Sequence, residues 1–265
     1  MSDVPLATSW FKRIGALRDP ALRRTFAQNE LYGMDASAVA EALDEVCHRV
    51  DRRRPGGRET LTAFAPTLTN LKHIDRVEAV RSAAIEEERQ ASARLLRCST
   101  RQHHTTNDKL QQSLEGAIER DGRPLSLGER RALARQPSRS TLRKLLRDPH
   151  PMVAHLVLAN PRVTEEDILV MACRRPAITS ILHEVAQQWF HNARVRMALV
   201  FNPGSPAAIS VPLLGLLVRH ELAQIVDAMD SPPIVRDTAR QLYALRPPLD
   251  TDEVADEPVP EPPES

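Results

Sequence analysis

Apolar residues recur at helical spacing along most of the chain, and polar or proline-containing turns separate these stretches. Over residues 35–52, Val39 and Val50 fall on one face of a predicted helix, and Asp35 is available to cap its start. A longer stripe of the same kind over residues 74–97 predicts the longest helix of the chain. Because no sustained alternation of apolar and polar residues occurs, the pattern favours an all-α protein.

The pattern is weaker on both sides of these two helices. Trp10 and Ile14 lie at helical spacing near the N-terminus, and Pro20 interrupts the pattern soon afterwards. We interpret this segment as a helix that packs on the body of the protein; the alternative is a helix that binds a membrane surface or a partner. Residues 98–107 are polar and predict a loop, whereas residues 107–120 predict another helix.

A short phrase occurs three times in the second half of the chain: the apolar end of a helix, then Asn or Gln, then proline. It reads Ala-Arg-Gln-Pro at 134–137, Leu-Ala-Asn-Pro at 158–161 and Val-Phe-Asn-Pro at 200–203. Since proline disfavours the helical conformation in the residue before it, each phrase predicts the end of a helix. The three prolines are 24 and 42 residues apart, which indicates degenerate helical repeats.

Polar residues after and before these phrases predict the starts of further short helices. Thr164 precedes three acidic residues, a combination that caps a helix and complements its dipole. Ser126 and Glu129 have the spacing of a capping box, and Ser231 is placed to cap a helix that begins at Pro232. Helices of about eight to twelve residues are not stable alone in water, so they must share apolar faces with neighbours. The sequence therefore predicts an α-solenoid.

The segment over residues 127–245 resembles the HEAT-like superfamily of α-solenoids. Within it, residues 132–164 look like leucine-rich repeat variant units, which share the 24-residue offset and the phrase Ala-x-Asn-Pro-x-x-(Ser/Thr/Pro). The resemblance implies a binding surface, because members of the superfamily mostly bind proteins and some bind nucleic acids. One variant-repeat protein carries a Cys-ligated iron–sulfur cluster, but no close set of cysteines precedes the repeats here, so that feature is not implied.

Composition agrees with helices built from aliphatic residues. Aromatic residues make up 3% of the 265 residues, and nine glycines against 21 prolines leave few of the turns that β-hairpins need. We predict a helical N-terminal region over 1–122, a HEAT-like solenoid of short helices over 123–248, and a disordered tail over 249–265. From residue 250 the tail contains seven acidic residues and no basic residue, so it buries too little apolar surface to order itself.

The net charge of +1 hides an uneven distribution, because residues 51–147 contain 21 Lys and Arg against 12 Asp and Glu. The acidic tail either screens a basic surface or only keeps the chain end solvated. Cys47, Cys98 and Cys173 form no disulfide framework, and neither a signal-peptide pattern nor a membrane-spanning apolar run is present. We therefore expect a reduced, cytoplasmic protein.

Sequence motifs for catalysis are missing. The chain has neither the Gly-rich phosphate-binding motifs nor the nucleophile-turn motif of common enzyme classes, and we interpret Ser205 as a helix cap. Cys98, His103 and His104 are donors suited to zinc, but a structural site takes four ligands, and a solvated polar loop is the preferred interpretation. We expect no enzymatic activity, no cofactor and no metal site.

Basic residues are concentrated over residues 130–147. A curved solenoid gathers such residues into a surface for an anionic ligand such as nucleic acid. The alternative is a solvated face or a protein contact, because arginine is abundant along the whole chain. The candidate residues are Arg130, Arg131, Arg135, Arg139, Arg143, Lys144 and Arg147.

Trp189 and Phe190 are large residues in a chain that contains few aromatics, and they follow an apolar helix. They belong either to the core between repeats, which we prefer, or to an interface as anchors. The overall prediction is a non-catalytic scaffold that binds a partner protein through its repeats. Nucleic-acid binding through residues 130–147 is the alternative, and the sequence indicates neither the partner nor the oligomeric state.

Overall fold

The computed structural model describes residues 5–97, the backbone of residues 119–120, and residues 123–248. These residues are helical almost throughout, which confirms the all-α prediction. The only strands among them are Glu119–Arg120 and Arg123–Pro124, which pair antiparallel in a two-residue ladder. None of the helices in these ranges is long and apolar enough to cross a membrane.

The helices are short, and their order along the chain is as follows. They are α1 (Leu6–Ala16), α2 (Pro20–Gly33), α3 (Ala36–Asp51), α4 (Gly57–Leu68), α5 (Ile74–Glu86), α6 (Gln90–Leu95), α7 (Leu127–Ala134), α8 (Arg139–Leu145), α9 (Pro151–Leu158), α10 (Glu165–Ala172), α11 (Thr179–Trp189), α12 (Ala193–Phe201), α13 (Ala207–Leu214), α14 (Arg219–Asp227) and α15 (Pro233–Leu245). A 3-10 turn, Leu71–His73, precedes α5. Most of the helix predicted over residues 107–120, and the predicted tail, lie outside the described residues. The last two residues of that predicted helix lie in the first strand instead.

Helix α3 is the centre of the N-terminal bundle, and α1, α4, α5 and α6 all pack against it. Trp10 of α1 is fully buried, and its ring centroid lies 4.4 Å from that of Phe64 in α4. The indole N–H of Trp10 donates to Glu30 Oε2 of α2 at 2.7 Å, so the one polar atom of this buried ring is satisfied. The apolar face of α1 thus packs on the body of the protein, as we preferred.

The prediction of a single helix over residues 74–97 is wrong, because the helix is interrupted at Glu88, which has a left-handed φ of 57°. Asp44 of α3 explains where the second helix, α6, begins. Its Oδ1 accepts hydrogen bonds from the backbone N–H groups of Ala91 at 2.9 Å and Ser92 at 3.0 Å, in the first turn of α6. A carboxylate from another helix therefore stabilises the new N-terminus, and both α5 and α6 pack against α3.

Helix α4 is an element that the sequence analysis missed, because Gly57 begins it and Pro66 lies inside it. Gly56 has a left-handed φ of 80°, a conformation that costs glycine little. A Cβ atom on Gly57 would lie 2.7 Å from Cβ of Arg49 in α3, which is far inside van der Waals contact. The two glycines therefore form a tight connection that brings α3 and α4 together.

From α7 onward, helices pack mainly on near neighbours in chain order. Helix α7 contacts α8 and α9, α10 contacts α11 and α12, and α14 packs along α15. This arrangement is compatible with stacked helical repeats, in which each unit buries its apolar face on the next. The capping box predicted for Ser126 with Glu129 is confirmed. The helix start predicted at Thr164 is confirmed as well: its backbone N–H and its hydroxyl donate to Oδ2 of Asp167 at 2.9 and 2.8 Å.

Two other predicted serine caps are wrong. Pro233 is the first residue of α15, so Ser231 lies one position outside the capping site, and its hydroxyl is buried without a hydrogen-bond partner among the described residues. Ser205 does not cap α13, because Pro206 occupies the capping position; its hydroxyl bonds to that of Ser210 at 3.0 Å. In both cases a proline, Pro232 or Pro206, occupies the N-cap position that the serine was predicted to fill.

The asparagine of the second phrase joins two repeats. Asn160 follows α9 and is 7% exposed. Its side-chain amide donates to the carbonyl groups of Ala134 at 2.8 Å and Gln136 at 3.0 Å, at the end of α7. Its Oδ1 accepts from the backbone N–H of Arg162 at 3.0 Å. One buried side chain thus satisfies carbonyls that α7 leaves without intrahelical partners.

Asn202 repeats this arrangement after α12. Its amide donates to the carbonyls of Ala172 at 2.7 Å and Arg174 at 3.2 Å, and its Oδ1 accepts from the N–H of Gly204 at 3.0 Å. The phrase predicted from sequence to end helices therefore also connects neighbouring helices, α7 to α9 and α10 to α12.

Helix α13 joins the repeats to the N-terminal bundle. All of its residues are buried, and it packs against α4 and α6 of the bundle as well as α12 and α15. A helix that is apolar on every side needs neighbours on every side. One continuous core therefore crosses the predicted limit at residue 122, although the limits of the predicted domains are not otherwise tested and stay predictions.

A buried group of charges, which we call the ion cluster, closes the same junction. Asp51 at the end of α3 binds Arg94 of α6 at 3.1 Å and Arg246, just after α15, at 3.1 Å. Arg246 also donates to the carbonyls of Gly215 at 2.7 Å and Leu217, which follow α13. All three charged side chains are largely buried, so each depends on the others for its solvation.

Candidate functional site

The structure divides the predicted anionic-ligand surface into buried and exposed residues. Arg130 of α7 is 7% exposed, and its guanidinium donates to Oδ1 of the buried Asp148 at 2.6 Å. Arg139, at the start of α8, makes a two-pronged ion pair with Asp167 of α10. These two guanidiniums connect neighbouring structural elements, and a carboxylate compensates the charge of each.

The other five basic residues of the segment are not ion-paired within the described part of the chain. Arg131 is half-buried, whereas Arg135, Arg143, Lys144 and Arg147 are exposed. The guanidinium of Arg174 lies beside this group, since it donates to the carbonyl of Arg147 at 2.9 Å. Burial and the nearby charge of Arg147 lower the pKa of Arg174. An exposed basic surface therefore exists, and its binding of a polyanion stays a prediction.

Trp189 and Phe190 lie at the end of α11 and are half-buried against the core. The indole N–H of Trp189 donates to the carbonyl of Leu158 at 3.2 Å, at the end of α9. The Trp189 ring also stacks on His191, with ring centroids 5.8 Å apart. These contacts agree with the core interpretation, and a role as interface anchors stays a prediction.

A basic groove of about 650 Å³ lies where the α3–α4 turn meets the last two helices. We define the basic groove by its lining. The apolar residues are Val50, Leu217, Val218 and Ala223, the basic residues are Arg53, Arg58, Arg219, His220 and Arg246, and Tyr243 and Pro248 complete it. None of the described residues that line the groove is acidic, so it combines an apolar surface with positive charge.

Two guanidiniums fix the walls of the basic groove. Arg219 lies 3.9 Å from the ring centroid of Tyr243 and donates to the carbonyl of the same residue, near the end of α15. Arg53, from the opposite side, donates to the carbonyls of Pro247 at 2.8 Å and Pro248 at 3.5 Å. Because these acceptors are neutral carbonyl groups, the hydrogen bonds do not compensate the positive charge of either guanidinium. The same hydrogen bonds hold the chain where it leaves α15.

The carboxylates beside the basic groove are already engaged. Asp51 belongs to the ion cluster, and Glu221 of α14 accepts a hydrogen bond from the backbone N–H of Val218 at 2.8 Å as part of a helix cap. Arg58 and His220 are exposed and have no side-chain partner within the described residues. The groove therefore presents positive charge that neighbouring carboxylates do not fully compensate.

The charge of Arg58 acts on two buried guanidiniums nearby. Burial and, secondarily, the Arg58 charge lower the pKa of Arg196. Burial also lowers the pKa of Arg246, with a smaller contribution from Arg58 that opposes the effect of Asp51. Since like charges repel each other here, an added carboxylate would be stabilised at this side of the groove.

No protein-family model, curated protein or solved structure that was compared with this chain matches it.

Two histidines lie beside the carboxylate of Glu184. His155 Nδ1 lies 2.9 Å from Glu184 Oε2, and His183 lies on the other side of that carboxylate. No group of His, Cys, Asp and Glu within the described ranges is arranged to hold a metal ion.

The two cysteines of the described residues differ in their exposure, since Cys47 is buried and Cys173 is exposed. Burial raises the pKa of the Cys47 thiol, and the charge of Asp51 raises it further, so the thiolate that would react is disfavoured. Cys173 is exposed and lies at the end of α10. The weak zinc candidate, Cys98 with His103 and His104, lies outside the described residues.

Sequence reasoning did not find the basic groove. Residues 52–58 contain four arginines and the pair Gly56-Gly57, which is typical of a basic turn, but nothing in the sequence connects this turn with Arg219, His220 or Tyr243. The only available signal was that unusual density of arginine in a turn. Residues that are so distant in the chain come together because α13 packs on the bundle and places α14 and α15 beside the end of α3.

Proposed function

We propose that this protein is a non-catalytic adaptor that binds an acidic, partly apolar segment of a partner protein in the basic groove. The observation that carries the proposal is the apolar floor with Arg53, Arg58 and Arg219 around it. Guanidinium groups bind carboxylates through charge-assisted hydrogen bonds, and an aliphatic side chain on the floor would add burial of apolar surface. A volume of about 650 Å³ accommodates a few side chains of a segment.

The helical repeats support this proposal as a rigid frame. We infer that they are HEAT-like and related to leucine-rich repeat variant units, because their Asn-Pro phrases both end helices and bind the neighbouring unit. Such a stack holds α14 and α15 at a fixed distance from α3, as a preformed groove requires. We place the protein in the cytoplasm, where three scattered cysteines remain reduced.

Reversing two groove charges tests the proposal. The probe is a fluorescein-labelled 12-residue peptide of alternating Glu and Leu, titrated with the full chain and followed by fluorescence anisotropy. We expect R53E with R58E to weaken binding at least about ten-fold, because two attractive charges become repulsive. Raising the salt concentration from about 50 to 300 mM weakens wild-type binding, since exposed charges are screened.

A matched control separates the groove from general charge. Lys12 and Arg18 are exposed, lie outside the basic groove and have no side-chain partner within the described residues. K12E with R18E makes the same change of net charge and is expected to leave the anisotropy curve within about two-fold of wild type. Equal weakening by the two double variants would overturn the proposal, and so would equally tight binding of a peptide of alternating Lys and Leu.

A second candidate function, nucleic-acid binding, has its own supporting observation. Arg143, Lys144 and Arg147 are exposed and not ion-paired within the described residues, and Arg174 lies beside them. We expect the wild-type chain to shift a 30-base-pair DNA duplex in electrophoresis, with an affinity that falls steeply as the salt concentration rises. The double variant R143E with K144E is expected to abolish this shift. Arg130 and Arg139 are unsuitable for this test because both form ion pairs between structural elements. The absence of any shift at about 50 mM salt would remove this candidate.

A further inference from the structure

The basic groove lies beside the point where the acidic end of the chain begins. Pro248 is the last described residue and lines the groove, and Arg53 binds its carbonyl. Arg219 and Arg246 fix the end of α15 through backbone carbonyls, so the direction in which the chain leaves is determined. Whatever follows Pro248 therefore starts at the groove wall.

The residues that follow Pro248 complement the groove in charge. Residues 249–265 contain no basic residue, and their acidic side chains are Asp250, Asp252, Glu253, Asp256, Glu257, Glu261 and Glu264. Val254 and Val259 are the aliphatic residues larger than alanine in residues 250–265, and acidic residues precede and follow each of them. The combination of carboxylates with a few aliphatic side chains is the chemistry that the arginines and the apolar floor accept.

Length allows the tail to reach every part of the groove. Seventeen residues remain after Pro248, and an extended chain spans about 3.3–3.6 Å per residue, so the reach is roughly 55–60 Å. A segment tethered this closely has an effective concentration on the order of 1 mM at its site. Even weak intrinsic affinity would then keep the groove largely occupied by the chain itself.

We infer that residues 250–265 occupy the basic groove in the same molecule and compete with the acidic segment of a partner. This inference rests on the proposed function of the groove and adds its regulation. A partner must displace the tail, so its apparent affinity is lower than the intrinsic affinity of the groove. Neutralising or removing the tail charges would release the groove for binding.

The test compares two full-length chains. In one the tail is wild type; in the other its seven carboxylates are replaced, Asp by Asn and Glu by Gln, which retains length and shape. The probe is a fluorescein-labelled synthetic peptide with the sequence of residues 250–265. We expect the chain with the neutral tail to bind this peptide at least about ten-fold more tightly, because its own competitor is lost. Adding R58E to the neutral-tail chain removes this gain, whereas adding R18E retains it.

The outcomes separate this inference from the proposed function. Equal affinity of the two chains for the tail peptide would overturn the inference, and the groove would still bind acidic segments. Binding of the Glu-Leu peptide without binding of the tail peptide would also overturn the inference alone. Failure of the neutral-tail chain to bind either peptide would overturn both. The tail could also compete from a second copy of the chain. If competition is seen only at protein concentrations at which sedimentation shows dimers, the tail binds the groove of that second copy, and the inference that it binds within the same molecule is overturned.

Discussion

Replacing Asp51 by alanine is expected to lower the free energy of unfolding by about 3–5 kcal/mol. The carboxylate bridges Arg94 and Arg246 at 3.1 Å each, and the three side chains are 8%, 14% and 7% exposed. Without this carboxylate, two guanidiniums stay buried next to each other and lose their ion-pair partner. The ion pairs that join α3 to α6 and to the end of α15 are lost with it. Urea denaturation followed by circular dichroism measures the loss as a lower midpoint at constant slope.

An exposed ion pair of the same kind is the control for Asp51. Asp237 and Arg240 are 2.9 Å apart, with side chains 50% and 60% exposed. Because water solvates both charges, D237A is expected to cost less than about 1 kcal/mol. If D51A does not fold, D51N, which keeps the size and one acceptor oxygen, provides the measurement. A midpoint for D51N equal to that of D237A would show that the ion cluster does not stabilise the junction.

Replacing Asn160 by alanine is expected to cost about 3 kcal/mol. The substitution removes two amide donors from the carbonyls of Ala134 and Gln136 and an acceptor from the N–H of Arg162. Each buried polar group that loses its partner costs about 1–3 kcal/mol, and water reaches some of them. The loss is measured by urea denaturation, and hydrogen exchange should show faster exchange in α7 and α9 than in the N-terminal bundle.

Gln136 provides the control for Asn160 because it occupies the equivalent place in the first phrase and its side chain is exposed. Q136A is expected to change stability by less than about 0.5 kcal/mol, since Asn160 binds only its backbone carbonyl. N160D adds a second comparison: its carboxylate still accepts from Arg162 but faces two carbonyl oxygens, so it should be no more stable than N160A. Equal stability of N160A and Q136A would show that the bridge between repeats is unimportant.

The substitutions of Asp51 and Asn160 both affect the helices that support the basic groove. The ion cluster fixes the end of α15, and the asparagine bridges keep the repeats stacked, so both hold α14 and α15 opposite Arg53 and Arg58. We therefore expect D51A to weaken binding of the acidic Glu-Leu peptide even where the chain remains folded, because the spacing of the guanidiniums is no longer fixed.

The local features of the fold followed from the sequence alone. Helical periodicity predicted α3, proline predicted the ends of α7, α9 and α12, and Thr164 predicted the start of α10. These features are local, because a helix stripe repeats every 3.6 residues and a proline or cap acts on its own turn. The all-α class is the sum of such local preferences, so it was accessible without knowledge of the tertiary structure.

Only the tertiary structure determined which side chains contact each other across distant parts of the chain. The break at Glu88 depends on a carboxylate of α3, and the burial of Arg130 depends on Asp148. The basic groove needs the α3–α4 turn and α14 side by side, although they are about 160 residues apart in the chain. Hydrogen bonds and ion pairs act over a few ångströms, so their partners are set by packing and not by spacing along the sequence. The sequence therefore determined the helices and their ends, whereas packing determined the groove.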